Sequence, residues 1–175
     1  MTRDQFLAGL VGLLGTPLLA AVFGRGSGEQ EPSDTRPIVP LQKQPSDWKG
    51  VVPPDAYRVL FQEATEPPFT SPLNDEKHPG TFICAACYLP LFDARTKYNS
   101  GTGWPSFYAA LPGRVATKRD FGLGLPRTEY HCIRCGGHQG HVFGDGPPPT
   151  GQRYCSNGLA LVFVAAGTAL PALRG

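Results

Sequence analysis

A small, mainly β domain of antiparallel strands, with one short helix at its front, is the fold this sequence predicts. Three observations carry the prediction. Glycine and proline are abundant, Gly 22 and Pro 19 in 175 residues, which favours turns and short strands over a helical bundle. Apolar runs such as LALVFV are short, β-branched or aromatic, and bounded by turn residues. Two C-x-x-C pairs, Cys84/Cys87 and Cys132/Cys135, sit where the knuckles of two hairpins belong. Hydrophobic residues make up 41% of the chain, enough for a core, and a net charge of +2 excludes a nucleic-acid surface built on bulk positive charge.

Taken in order, the chain opens on an apolar run. Phe6 to Phe23 reads FLAGLVGLLGTPLLAAVF, without a charge. Spanning a bilayer takes about twenty such residues, with a floor of roughly seventeen. Residues 1–24 are therefore expected to be a signal peptide or an uncleaved membrane anchor. The competing reading is a buried core helix, which the run's glycines and Pro17 disfavour. Residues 25–45 mix glycine, proline and charge with no apolar period, and predict a disordered linker. The folded domain is expected over 46–169, followed by a tail at 170–175. This layout implies an exported or membrane-anchored, extracytoplasmic protein (periplasmic if bacterial) that touches a membrane only through residues 6–23.

Within the domain, Pro53-Pro54-Asp55 before AYRVLFQEA predicts a helix over 54–64, because proline and an acid suit a first turn. Tyr57, Leu60 and Phe61 are expected to share its apolar face. TEPPFTSPLND then breaks regular structure. TFICAACYLPLF predicts two short strands joined by a knuckle, and TEYHCIRCGG predicts a second such hairpin. Between them, TKYNSGTGWPSFYAAL is glycine-rich and aromatic. LALVFV reads as a buried strand.

The four paired cysteines supply the thiolates of a closed, structural zinc site, one ion per chain. Two local disulfides, or a redox C-x-x-C pair, are the alternative, and export would favour them. Cys155 is left over. It is either a small buried apolar residue at a strand edge or a nucleophile, with Arg153 as a nearby cation to lower its pKa. His138 and His141, in GGHQGHVF, are ordinary histidines, metal ligands, or general acids near neutral pH. Trp104, in SGTGWPSF, is a core tryptophan or the apolar wall of a pocket.

In their order along the chain, AYRVLFQEATEPPF, CAACYLPLF, TKYNSGTGWPSF, RTEYHCIRCGGHQGHVFGDGPPPTG and RYCSNGLALVF resemble the methionine-R-sulfoxide reductase B family, from about Trp48 to Val164. The resemblance implies two antiparallel β-sheets with a short N-terminal helix and a structural zinc held by Cys84, Cys87, Cys132 and Cys135. It implies thiol-dependent repair of methionine-R-sulfoxide in oxidised proteins through a Cys155 sulfenic acid, with His138, His141 and Asn157 as its other catalytic residues. Trp104, Arg153 and Asp145 are the implied substrate-side residues. Many relatives carry a resolving cysteine where this chain has Thr102, so an external thiol reductant such as thioredoxin is the expected partner. Smaller departures are Gln139, where leucine is usual, and Ser156 and Gly158 around Asn157. Two rivals remain at this level: a non-catalytic zinc-ribbon interaction module and a thiol peroxidase.

Overall fold

The helix forms where proline and acid place it. A computed structural model of the chain describes residues 38–122 and 126–175, and in it α1 spans Pro54–Gln62. It stops two residues short of the expected end because Glu63 turns left-handed, with φ 55°, and the N–H of Ala64 closes back on the carbonyl of Arg58 at 3.1 Å. The buried face is Ala56, Val59 and Leu60. Tyr57 and Phe61, expected on that face with Leu60, lie to one side, half-buried. There Phe61 stacks on the fully buried Trp48 with centroids 5.6 Å apart.

Among the described residues nine strands follow: β1 (Gly80–Cys84), β2 (Pro90–Asp93), β3 (Lys97–Tyr98), β4 (Ser106–Phe107), β5 (Val115–Asp120), β6 (Arg127–Cys132), β7 (His138–Phe143), β8 (Arg153–Ser156) and β9 (Leu161–Ala165). They make two sheets, ordered β2-β1-β9 and β3-β4-β8-β7-β6-β5, in which every pairing is antiparallel. The fold is thus mainly β, two antiparallel sheets and a front helix, as the sequence predicts. Phe82 and Phe92 of the smaller sheet pack against Phe107 and Tyr130 of the larger. Phe92 and Phe107 stack at 4.2 Å, and Phe82 meets Phe107 edge-on at 4.9 Å. Such pairs contribute about 0.5–1.5 kcal/mol each beyond the area they bury.

LALVFV is not a buried strand. β9 lies at the edge of the smaller sheet, paired to β1 alone. Leu161 is buried, but Val162 on the opposite face is 40% exposed, the period-two consequence of covering one face only.

The expected leader at residues 1–24, and the linker up to residue 37, lie outside the described residues. Among the described residues no helix is long and apolar enough to cross a membrane. The end of the expected linker is held: Ile38 and Leu41 pack on the core, and the N–H of Leu41 donates to the carbonyl of Arg134 at 2.7 Å. These two apolar side chains, spaced by prolines and polar residues, show no period but still find a surface. At the other end, the Arg174 guanidinium donates to the carbonyls of Ala85 and Ala86 and to the Tyr88 hydroxyl. It also lies 4.2 Å over the Tyr88 ring.

Candidate active site

The two knuckles have the same backbone turn. The N–H of Tyr88 donates to the carbonyl of Cys84 at 2.9 Å, and the N–H of Gly136 to that of Cys132 at 2.9 Å. Both donor residues are left-handed, with φ 62° and 72°. Cys84 ends β1 and Cys132 ends β6, so the knuckles bring the ends of the two sheets together. The four sulfurs lie within 4.8 Å of one another, with Cys84–Cys135 at 3.6 Å and Cys87–Cys132 at 3.5 Å. A tetrahedral zinc tetrathiolate needs sulfurs about 3.8 Å apart, so the donor set fits a metal ion in type and spacing. All five cysteines are free of disulfides, so the geometry matches the metal reading rather than two local bridges. Burial pushes the Cys84 thiol well above its ordinary value; a bound divalent cation reverses that direction, because ligating thiols are deprotonated.

Cys155 sits in the middle of β8, with Ser106 of β4 opposite it on one side and His141 of β7 opposite it on the other. A Cβ at Gly140 would overlap the Cys155 carbonyl, so glycine is what lets β7 lie this close to β8. The Cys155 sulfur is half-buried, and burial pushes its thiol up. The Thr102 hydroxyl, 4.0 Å away, and the Arg153 guanidinium pull it back only in part. Thr102 ends a chain of hydroxyls: Ser106 to Ser100 at 2.7 Å, and Ser100 to Thr102 at 2.9 Å.

A cleft of about 130 Å³ opens over this sulfur. It is lined by Cys155, His141, Trp104, Asn157, Arg127 and Thr65, with Gly140, Phe143 and Ser156. Four of the residues singled out from the sequence therefore meet at one place. His138, Arg153 and Asp145 are not among the lining residues. His138 is buried behind His141, with ring centroids 5.5 Å apart. Arg153 makes a two-pronged pair with the exposed Asp145, both contacts 2.9 Å, and lies 4.3 Å over Phe143.

Each histidine has a carboxylate partner that sequence reading did not find. The Glu129 carboxylate is 2.9 Å from His138 Nδ1 and also takes a 2.9 Å ion pair from Lys118. Burial nonetheless holds His138 down at about 4, so it is neutral at ordinary pH. Asp120 accepts from His141 Nε2 at 2.7 Å and from Arg127 at 2.6 Å. Burial lowers His141, and the Asp120 carboxylate opposes that.

Glu66 is a third partner the sequence reading missed. Its buried carboxylate accepts from the N–H groups of Gly158 at 2.5 Å and Leu159 at 3.0 Å. Its own N–H donates to Asn157 Oδ1 at 3.0 Å, and its carbonyl accepts from Trp104 Nε1 at 3.0 Å. One residue thus fastens the Trp104 indole to the segment after Cys155. Asn157 Nδ2 donates in turn to the Gln139 carbonyl at 3.2 Å. Both ends of the Asn157 amide are therefore held by backbone, and its action is to position. In sequence, the only sign of Glu66 is an acid placed just before two prolines.

A family model described as "SelR domain" matches residues 52–165. Similar chains are named "Peptide methionine sulfoxide reductase MsrB". That of Agrobacterium fabrum (strain C58) is 48% identical over 124 residues, 70% of this chain and 92% of the relative. That of Leptospira interrogans is 49% identical, covering 70% and 95%. That of Methanosarcina mazei is 49% identical, covering 70% and 89%.

Proposed function

Since the chain belongs to the SelR-domain family of MsrB reductases, and is thus an oxidoreductase that reduces methionine sulfoxide, we propose that Cys155 is the nucleophile and His141 the proton donor in reduction of the R epimer within oxidised proteins. One observation carries this reading: Cys155, His141 and Trp104 line a single cleft, with His141 in direct ladder register with Cys155. The Cys155 sulfur attacks the sulfoxide sulfur, and a proton reaches the sulfoxide oxygen, which leaves poorly otherwise. Asp120 on Nε2 leaves Nδ1 of His141 to make that transfer. The sulfoxide gains two electrons and becomes methionine. The oxygen passes to Cys155, which loses two electrons and becomes a sulfenic acid. Trp104 packs the substrate methyl group and orients the sulfur. His138 does not line the cleft; it backs the His141 ring and is anchored on Glu129.

The reduced enzyme is regenerated by an outside thiol. Cys84, Cys87, Cys132 and Cys135 are clustered together, and the residue beside Cys155 at the place where the resemblance puts a resolving cysteine in many relatives is Thr102. Two reducing thiols, from thioredoxin or a small dithiol, return Cys155 to its thiol with release of water. Cys84, Cys87, Cys132 and Cys135 would hold a structural zinc, which would brace the ends of the two sheets. The apolar run Phe6–Phe23 supports an exported or membrane-anchored, extracytoplasmic enzyme.

Cys155→Ser tests the assignment. Dithiothreitol-dependent reduction of methionine-R-sulfoxide is expected to fall by at least about a thousandfold, the scale on which loss of a covalent nucleophile acts. Metal content and far-ultraviolet dichroism should be unchanged. Retained turnover in that variant would remove Cys155 from the mechanism. Peroxide consumption by the wild type, without sulfoxide turnover, would favour a thiol peroxidase.

A further inference from the structure

Gln139 lies between the two histidines, in H-Q-G-H, and is fully buried. Its amide nitrogen Nε2 donates to Cys84 Sγ at 3.5 Å and to the Gly137 carbonyl at 3.4 Å. Among the described residues its Oε1 has no hydrogen-bond partner. A buried amide with one end unused is costly, and leucine, usual at this place in the family, avoids that cost. The polar group therefore has to act through the end that is engaged, and that end faces a sulfur of the metal cluster.

The chemistry of that cluster explains why a donor belongs there. Four thiolates around one divalent cation carry a net charge of −2, and Cys84 is fully buried. Water cannot solvate its sulfur, so N–H donors must spread the charge instead. Partners that hydrogen-bond to metal ligands hold those ligands in place and typically change metal affinity 10–100-fold when removed. Gln139 also accepts, at its own carbonyl, from the Asn157 N–H at 2.8 Å and from Asn157 Nδ2 at 3.2 Å. One residue thus joins the sulfur cluster to the flank of the nucleophile.

We propose that Gln139 is a hydrogen-bond donor to the metal-bound Cys84 thiolate, and that it slows loss of the ion from the four-cysteine site. This rests on the reading of that site as a zinc centre. The test compares the full chain with Gln139→Leu and Gln139→Met, apolar replacements of similar size. Zinc release to a chromophoric chelator is expected to be about tenfold faster in both variants. After exchange to cadmium-113, the wild type should show a scalar coupling between the Gln139 side-chain amide proton and the metal through the Cys84 sulfur. The cadmium resonance should move in both variants. Equal release rates with an unmoved resonance would overturn the proposal while leaving the metal site intact. A wild type that binds neither zinc nor cadmium would overturn the zinc reading, and this proposal with it.

Discussion

Cys155 and His141 face each other across one step of the β7–β8 ladder, and burial acts on them in opposite directions. It lifts the thiol above 9.0 and lowers the imidazole below 6.5. At neutral pH the pair rests as thiol and neutral imidazole, while the reacting form in the proposed mechanism is thiolate and imidazolium. Both forms hold one proton, so their ratio does not change with pH. The pair takes a second proton only below the His141 value and loses its single proton only above the Cys155 value. The profile of kcat/KM against pH is therefore expected to be flat through neutral pH, with its acid limb below the ordinary imidazole range and its alkaline limb above the ordinary thiol range. An alkaline limb near 7 would show that the thiol is not raised, and that some other charge overrides its burial.

At the scale of elements, the site exists because three segments are fastened together at Glu66. The loop after α1, the glycine-rich loop carrying Trp104, and the turn after β8 all hydrogen-bond to that residue. Glu66→Gln keeps one acceptor and turns an N–H toward a backbone N–H. Hydrogen bonds to charged groups contribute about 1.5–3 kcal/mol, so kcat/KM is expected to drop at least about tenfold. Acrylamide quenching should report a freer Trp104, because Trp48, the other tryptophan, is fully buried. Alkylation of Cys155 should keep its rate, since Thr102 and Arg153 still flank the sulfur. Unchanged kinetics and quenching would reduce Glu66 to a packing residue. The cysteines, His141 and Trp104 were legible in the sequence because rare residue types at fixed spacing carry their own signal. Glu66, Asp120 and Glu129 were not. Each is an ordinary acid until strand register or a loop return brings its partner to it, across a hairpin for Glu129 and Asp120 and from the far end of the domain for Glu66. The exposed face of β9 was hidden for a related reason: LALVFV reports apolarity but not whether a second neighbour covers the strand.

At the scale of the whole molecule, the sheets meet in two places, the aromatic core and the four sulfurs. The four-cysteine cluster closes the sheet ends that Cys84 and Cys132 terminate. The run Phe6–Phe23 belongs to this scale as well. A reporter fused after residue 45 is expected to be delivered across the membrane, and a reporter retained in the cytosol would remove the export reading. Arg174 adds a last constraint. It grips the first knuckle through Ala85, Ala86 and Tyr88, and its carbonyl accepts from Arg134 of the second at 2.6 Å. A polypeptide made from the N-terminus thus displays Cys84 and Cys87 long before the arginine that pins them has been translated. Until then the first knuckle lacks the hydrogen bonds that Arg174 supplies to Ala85, Ala86 and Tyr88, so its turn is completed only at the end of synthesis.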